Sequence, residues 1–211
     1  MKFLKIPEAT IKRLSVYARY LSNLDSQDRR VISSAELAEE CGMNAAQIRK
    51  DLAYFGEFGV RGVGYYVKDL LFDIRKILGL NKSWRVTLVG VGRLGEALLS
   101  YVNFNKQGYH FVAVFDSDPA KIGKPVGRGL EVMAMTELGR VVAEQGIEIG
   151  IITAPAAGAQ EVADRLVEAG VRGVLNFAPV RIAVPEGVIV KHVDLAQEFD
   201  NLAYLMVSRP L

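Results

Sequence analysis

Hydrophobic residues in the first eighty positions recur at the three- and four-residue spacing that is typical of amphipathic helices. A first helix is predicted from Pro7, a residue that suits the first helical turn. Its inward face would carry Ile11, Leu14, Ala18, Leu21 and Leu24. A last helix of this region would end at Gly79, with an inward face of Leu70, Ile74, Ile77 and Leu78. This part of the chain is therefore predicted to be mainly helical.

Between these two helices the sequence predicts a closely spaced helix pair. The segment from Ser33 to Glu36 has the form of a capping box, so a helix should begin there and end at Gly42. Only a short turn follows before Asn44, which is expected to cap a third helix running to about Phe55. Two helices joined by a tight turn that contains glycine are typical of a helix-turn-helix.

The third helix would have two different faces. The inward face is predicted to hold Ala45, Ile48, Leu52 and Phe55. The outward face would carry two cations, one tyrosine and two small residues, namely Ala46, Arg49, Lys50, Ala53 and Tyr54. Arg can pair with guanine, methyl groups can contact thymine, and Lys and Tyr can reach phosphates. This helix alone does not separate a DNA-recognition helix from an ordinary solvated one.

Residues 56–66 follow directly, with four glycines around Arg61 and two aromatic residues at the end. The pattern predicts a two-stranded wing with a flexible tip. Arg61, between small residues, suits a narrow minor groove, where the negative potential is strongest. The glycines alone would also be compatible with a plain hairpin. The order helix-turn-helix, then wing, favours a winged-helix DNA-binding domain.

From about residue 85 the pattern changes to alternating strands and helices. Strands are predicted near 85–90, 111–116, 130–133, 147–153, 171–177 and 188–193, and helices near 93–103, 136–145 and 157–169. Such alternation indicates a parallel sheet with right-handed crossovers. A last amphipathic helix carries Leu195, Phe199, Leu202, Leu205 and Met206. Its apolar face is too large to remain exposed to solvent, so the helix is expected to pack against another protein surface.

A glycine-rich fingerprint, Gly90-Val91-Gly92-Arg93-Leu94-Gly95, lies between a predicted strand and a predicted helix. In that context GxGxxG glycines allow a tight turn and close approach to a pyrophosphate at the helix N-terminus. Asp116 ends the next strand, 21 residues past Gly95, where an acid binds the adenine ribose and disfavours a 2′-phosphate. The pattern predicts NAD rather than NADP. The alternative is that Asp116 only caps the turn towards Asp118.

Composition narrows the class of protein. Half of the 211 residues are hydrophobic, which predicts a globular chain, and no apolar run approaches the roughly 20 residues of a membrane span. The N-terminus has no apolar signal region, and the single cysteine, Cys41, cannot form an internal disulfide, so a cytoplasmic location is expected. Residues 1–79 hold thirteen Lys/Arg against ten Asp/Glu, which permits nucleic-acid binding without establishing it.

Side chains that could act in catalysis or bind a metal are scarce in this sequence. The two histidines, His110 and His192, have no plausible partner nearby in the sequence, and no spacing suggests a metal site. A dehydrogenase needs a substrate pocket and an acid or base near the nicotinamide, and residues 180–211 are too few for a substrate domain. The chain is therefore predicted not to be an enzyme and to have no catalytic residues.

Three motifs in order resemble the Rex family of redox-sensing transcriptional repressors. They are Gln47–Gly56 with Gly59–Tyr65, the fingerprint at Gly90–Gly95, and Asn176–Pro179 with Val193-Asp194. The resemblance covers nearly the whole chain. It implies a bacterial homodimer that binds a palindromic operator when NAD⁺ dominates and releases it when NADH binds.

The resemblance implies an α/β architecture in three parts: a winged-helix domain at 1–80, a Rossmann-like doubly wound parallel sheet at 81–194 that binds NAD(H), and a domain-swapped dimerisation helix at 195–211. It implies DNA contacts from Ala46, Gln47, Arg49, Lys50, Tyr54, Arg61 and Tyr65. Cofactor contacts are expected from Gly90, Val91, Gly92, Arg93, Leu94, Gly95, Tyr101, Asp116, Thr153, Ala154, Pro155, Asn176, Phe177, Ala178 and Pro179.

It further implies an interdomain switch between Arg19 and Asp194. The chain departs from some members at Leu195, where they have a phenylalanine that reaches the partner's nicotinamide pocket. Two alternatives remain at this point. One is a small NAD-dependent oxidoreductase with an accessory N-terminal domain, and the other is a CoA-binding domain of similar topology.

Overall fold

The computed structural model describes residues 6–127 and 129–208. The chain divides into two compact units, residues 1–82 and 83–211. The ends of the first and last predicted segments, residues 1–5 and 209–211, lie outside the described residues.

The N-terminal unit is built from helices around one short pair of strands. In chain order its elements are α1 (Glu8–Ser26), β1 (Val31–Ile32), α2 (Ser34–Cys41), α3 (Ala45–Ala53), β2 (Tyr65–Tyr66) and α4 (Val67–Ile77). The predicted apolar face of α1 is buried except at Ile11, which is 36% exposed. The core also contains Leu37, Ile48, Leu52, Leu70 and Ile74.

The helix-turn-helix forms where the capping residues predicted it. The Ser33 hydroxyl accepts the backbone N–H of Glu36, and the Glu36 carboxylate accepts the N–H of Ser33 in return. Gly42 ends α2 in the left-handed conformation, with φ of 62°. The Asn44 side chain then accepts the N–H of Ala46 and starts α3. Local chemistry thus specifies both helices and the turn between them.

The predicted two-stranded wing is reduced to a single bridge. Val60 pairs with Gly64 alone, while β2 pairs with β1 through Ile32 opposite Tyr65. Gly62 and Gly64 have φ of 81° and 105°, values that interrupt extended strands. A Cβ on Gly64 would lie 2.6 Å from the carbonyl oxygen of Ile32. The glycines therefore form a tight hairpin that packs its base against β1.

The C-terminal unit is a doubly wound sheet. Its elements are β3 (Trp84–Val89), α5 (Arg93–Ser100), α6 (Asn103–Lys106), β4 (Tyr109–Asp116), β5 (Pro125–Val126), β6 (Leu130–Ala134), α7 (Leu138–Gln145), β7 (Ile149–Ile152), α8 (Ala156–Glu168), β8 (Gly173–Asn176), β9 (Ile189–His192) and α9 (Leu195–Ser208). The strand order is β5-β6-β4-β3-β7-β8-β9, and only β5 is antiparallel to its neighbour. Without β5 this is the dinucleotide-binding order, with β3 as first strand.

Two elements of this unit were not predicted. The two-residue strand β5 is too short to show alternation. The predicted helix at 93–103 ends early because Tyr101 is extended, with ψ of 103°, and the short α6 follows. The remaining strands and helices occur within a few residues of their predicted positions.

No described helix is both long and apolar enough to cross a membrane. The described residues also contain no group of three or more His, Cys, Asp or Glu side chains placed to hold a metal ion. Burial raises the pKa of the Cys41 thiol to about 11, so the thiol stays protonated near neutral pH.

Candidate nucleotide-binding and DNA-binding sites

The glycine-rich turn between β3 and α5 contains three glycines with different surroundings. Gly90 has φ of +101°, and a Cβ there would lie 2.7 Å from the backbone nitrogen of Ala154. A Cβ on Gly95 would lie 2.4 Å from the carbonyl oxygen of Gly90. At Gly92, no described atom beyond its immediate neighbours lies within 4 Å of the Cβ position. Gly90 and Gly95 are thus needed for packing, whereas Gly92 faces open space at the start of α5.

The end of β7 holds this turn in place. The hydroxyl of Thr153 donates to the carbonyl oxygen of Gly90 at 2.6 Å, and the Thr153 N–H donates to that of Val89 at 2.9 Å. Neighbouring parallel strands are therefore tied together at their carboxyl ends, the edge where open α/β sheets bind ligands.

Asp116 joins the same edge from β4. Its Oδ2 accepts the N–H of Val91 at 2.7 Å and the ammonium of Lys121 at 2.9 Å, and its Oδ1 accepts the N–H of Asp118 at 2.9 Å. Burial by itself would raise the pKa of Asp116, but these donors outweigh burial and hold the pKa below its ordinary value. The ionised carboxylate thus connects the glycine-rich turn to the turn after β4.

Asp116 therefore caps its own turn, as the alternative interpretation predicted, and it also borders the candidate site. Lys121 was missed by the sequence analysis, because a lysine five residues after the strand-ending acid belongs to no motif. Its side chain is 38% exposed and pairs with Asp116.

A cavity of about 480 Å³ opens at this edge. It is lined by Val89, Gly90, Gly92, Asp116, Ser117, Asp118, Lys121, Met135, Thr153, Ala154, Pro155 and Val162. Six predicted cofactor residues therefore come together here: Gly90, Gly92, Asp116, Thr153, Ala154 and Pro155. The described lining of this cavity does not include the predicted cofactor residues Phe177, Ala178 and Pro179.

The residues from Asn176 to Val180 form a separate loop after β8. Asn176 is completely buried, and its carboxamide oxygen accepts the N–H of Ala178 at 3.0 Å. Its amide nitrogen donates to the carbonyl oxygen of Val180 at 2.8 Å. Asn176 therefore shapes the loop from within. In this structure Asn176 is a supporting residue, while Phe177 is half-buried and Pro179 is exposed.

The remaining predicted cofactor residues lie on α5 or close to its ends. Arg93 and Leu94 are exposed at its first turn, and Val91 is buried below it. Tyr101 is 49% exposed, and its hydroxyl accepts from the Asn103 amide at 3.0 Å. Its ring meets that of Phe104 edge-on, with centroids 5.0 Å apart.

In the N-terminal unit, α3 exposes most of its predicted outward face. Ala46, Arg49 and Lys50 are exposed, and Tyr54 is half-buried at the helix end. The Arg49 guanidinium donates to the hydroxyl of Ser34 at 2.8 Å, which links α3 to the first turn of α2.

Two residues predicted to contact DNA, Gln47 and Tyr65, are not freely exposed in the structure. The Gln47 amide donates to Asp51 at 2.8 Å within its own helix, so its side chain already has a partner. Tyr65 is only 8% exposed and belongs to the core, and burial raises the pKa of its hydroxyl. The ring packs largely inside the unit, and Tyr65 also lines the groove between α3 and the glycine hairpin, so the DNA contact expected of it stays a prediction.

Asp51 is the centre of a buried polar cluster that the sequence analysis did not find. Arg13 binds its carboxylate through Nε at 2.6 Å and Nη2 at 2.7 Å. The hydroxyls of Tyr17 and Thr10 donate to it at 2.8 and 3.1 Å. The cluster fastens α3 to α1, the helix that carries Thr10, Arg13 and Tyr17.

A groove of about 620 Å³ separates α3 from the glycine hairpin. Its lining includes Arg49 on the helix, Arg61 at the hairpin tip, and both Ser33 and Ser34. The two cations beside an exposed helix face suit a phosphate backbone.

The predicted switch residues lie in different units. Arg19 is exposed on α1. Asp194 is exposed before α9, and its carboxylate accepts the N–H of Ala196 at 2.9 Å. Asp194 therefore caps the first turn of α9.

A helix-turn-helix with a glycine hairpin, together with a doubly wound sheet that carries a glycine-rich nucleotide turn, defines the class of nucleotide-responsive DNA-binding regulators. Comparisons with known proteins agree. Residues 5–53 match a family described as "Putative DNA-binding protein N-terminus", and residues 81–180 match "CoA binding domain". The chain is 55% identical to "Redox-sensing transcriptional repressor Rex" of Syntrophobacter fumaroxidans over 97% of both chains. The chain therefore belongs to the Rex family of redox-sensing transcriptional repressors.

Two solved structures are also similar to this chain. One is the crystal structure of RSP in complex with β-NAD⁺ and operator DNA, with a TM-score of 0.90, 40% identity, and coverage of 95% of this chain and 92% of that one. Another is RSP in complex with β-NADH, with a TM-score of 0.84, 38% identity, and coverage of 96% and 94%. The predicted family and fold class are confirmed. These relatives are regulators and not enzymes, in agreement with the sequence analysis.

Proposed function

We propose that this chain represses transcription by binding operator DNA when NAD⁺ dominates, and that NADH releases it. The observation that carries the proposal is the open space at Gly92, beside the Asp116 carboxylate, in a chain whose other unit exposes Arg49 and Lys50 on a helix-turn-helix. Its relative RSP has been crystallised with β-NAD⁺ and operator DNA and, separately, with β-NADH.

The residues fit a dinucleotide. Gly92 leaves room for a pyrophosphate at the N-terminus of α5, where backbone N–H groups and the helix dipole favour an anion. The adenine ribose is assigned to the side of the cavity that holds Asp116 and Lys121. Asp116 accepts three hydrogen bonds and keeps room for a further one from a ribose hydroxyl, and Lys121 and Asp118 line the same side of the cavity.

The nicotinamide is assigned to the apolar residues at the other strand ends, namely Ala154, Pro155, Phe177, Ala178 and Pro179. The oxidised ring carries a positive charge and the reduced ring does not. Burial of an unpaired charge is costly, so an apolar site favours NADH. A hundredfold preference corresponds to about 2.7 kcal/mol, enough to shift a balanced equilibrium almost completely.

DNA contacts are assigned to the α3 face and the hairpin tip. Arg49 and Lys50 would face the major groove together with Ala46 and Tyr54, and Arg61 would reach the neighbouring minor groove. Gln47 contributes only if it leaves Asp51, its partner in this structure.

The working form is proposed to be a cytoplasmic homodimer on a palindromic operator. The described residues of α9 include none that is buried, and Phe199, Met206 and Val207 are 71%, 70% and 82% exposed. As the family resemblance implies, α9 would be exchanged and would cover this face against the partner. Asp194 would then meet the partner's Arg19, and Leu195 would take the position that some members fill with phenylalanine. The three parts remain 1–80, 81–194 and 195–211.

A gel shift tests the proposal. The probe is a palindromic duplex that this protein selects in vitro from a random library, titrated at NADH/NAD⁺ ratios from zero to one. Binding should persist with NAD⁺ and be lost as NADH rises. Equal effects of NADH and NAD⁺ would reject the redox response. Release by CoA instead would point to the CoA alternative.

A further inference from the structure

Asn176 and His192 face each other across neighbouring strands. They are register partners on β8 and β9, and the Asn176 amide nitrogen lies 3.1 Å from Nδ1 of His192. The backbone continues the link, because the N–H of Val193 donates to the carbonyl oxygen of Asn176 at 2.9 Å. A completely buried side chain thus has an exposed histidine ring among its partners.

The Asn176 amide has two N–H groups and therefore needs two acceptors. The carbonyl oxygen of Val180 at 2.8 Å is one, and Nδ1 of His192 is the next best, because the carbonyl oxygen of Ala178 is 3.3 Å away. Without His192, the second N–H of the Asn176 amide would keep only the 3.3 Å contact with the carbonyl oxygen of Ala178. A buried donor that loses its partner either costs stability or turns to find another. A turned amide would no longer accept the N–H of Ala178, which fixes the loop.

We infer that His192 is a positioning residue for cofactor recognition: its ring orients the buried Asn176 amide, and Asn176 in turn holds the 176–180 loop in the shape that receives the nicotinamide. The inference rests on the proposed function, which assigns that loop to the nicotinamide. It requires Nδ1 to be the acceptor, so the ring proton lies on Nε2.

The same contact joins the loop to the start of α9. Only Val193 separates His192 from Asp194, whose carboxylate caps α9. If the 176–180 loop changes shape when it binds the reduced nicotinamide, the change would be passed to the end of β9. That strand leads directly into α9, the helix assigned to the dimer contact.

Two variants of similar size test whether His192 acts as a hydrogen-bond acceptor. An asparagine at 192 can place its carboxamide oxygen near the position of Nδ1, whereas a leucine of similar size offers no acceptor. Ile189→Thr serves as the control, because Ile189 is 68% exposed on the same strand. Binding of NADH and of ADP-ribose, which lacks the nicotinamide, is measured by calorimetry on each full-length variant.

His192→Leu is expected to weaken NADH binding roughly fivefold to tenfold, the loss typical of one hydrogen bond, with ADP-ribose binding unchanged. His192→Asn and Ile189→Thr should stay within about twofold of the parent chain. Equal losses for NADH and ADP-ribose would indicate a general structural role and overturn the inference, as would equal losses in the Leu and Asn variants or unchanged NADH binding in His192→Leu.

Should His192→Leu fail to fold, His192→Gln replaces it, because its amide lies one bond farther out and misses the Nδ1 position. It should show the same selective loss, and NADH binding as tight as in the parent would overturn the inference. The parent chain separates the two proposals. If it binds NADH no more tightly than ADP-ribose, the nicotinamide assignment itself fails. If it does, and the variants match it, only the role of His192 fails.

Discussion

Arg13 binds the buried carboxylate of Asp51 with two nitrogens, at 2.6 and 2.7 Å, and so joins α1 to the helix that presents Arg49 and Lys50. Asp51 has no exposed surface, and each of its oxygens accepts more than one donor. A bidentate contact fixes angle as well as distance. The exposed face of α3 is therefore held at one orientation relative to α1.

Asp51→Asn should destabilise the N-terminal unit by about 2 kcal/mol, because an amide can accept on one side only and leaves Arg13 partly unpaired. The loss should be visible as a lower urea midpoint by circular dichroism. Glu8→Gln is the control, since Glu8 is an exposed carboxylate on α1, the helix that carries Arg13. An Asn variant as stable as the control would show that the cluster adds nothing to stability.

The same carboxylate predicts a pH dependence. Burial by itself would raise the pKa of Asp51, but hydrogen bonds from Arg13, Tyr17, Gln47 and Thr10 outweigh it and lower the pKa below its ordinary value. A group with a depressed folded pKa contributes stability that is present above its unfolded pKa, about 3.9, and is lost as pH falls through the folded value. The difference in unfolding free energy between the parent and Asp51→Asn should therefore be full at pH 7 and shrink below pH 4. A difference that is the same at pH 7 and pH 3 would contradict this assignment.

The Asp51 cluster could not be predicted from the sequence, in contrast to the helix caps and strands of the same chain. Ser33, Gly42 and Asn44 were predicted correctly because capping acts within four residues. The strands were predicted because buried parallel strands are nearly continuous apolar runs. Asp51, however, depends on side chains 34 to 41 positions away, and Asp51 looks like any polar residue of a surface helix.

The nucleotide site divides in the same way. The Gly90–Gly95 motif and the spacing to Asp116 were readable because they encode local backbone geometry. Lys121 was missed because its role follows from the fold of the turn after β4. The burial of Tyr65 was not predicted, because period-two alternation in so short a strand does not reveal which of Tyr65 and Tyr66 faces inward.

The fingerprint glycines should separate folding from binding. Gly92→Ala should fold normally, since Gly92 has φ of −97° and open space at its Cβ position, but should bind NADH at least tenfold more weakly because the methyl group occupies the pyrophosphate space. The variant should still bind operator DNA and resist release by NADH. Gly95→Ala is the contrasting variant, because its Cβ would collide with the carbonyl oxygen of Gly90 at 2.4 Å and lower the melting temperature. Unchanged NADH affinity in Gly92→Ala would remove the pyrophosphate from this turn.

The cations of the N-terminal unit should affect DNA binding alone. Arg49→Ala, Lys50→Ala and Arg61→Ala are each expected to weaken operator binding by about 1–3 kcal/mol, measured by fluorescence anisotropy, without changing NADH affinity. Salt titration distinguishes their roles, because a lost phosphate contact reduces the slope of log K against log salt by about one, whereas a lost base contact changes sequence preference. Arg49 needs a further control, since it also donates to Ser34. Ser34→Ala removes that contact and keeps the guanidinium, so it should bind DNA nearly as well as the parent. If Ser34→Ala weakens binding as much as Arg49→Ala, Arg49 acts by holding α3 against α2 and not by contact with DNA.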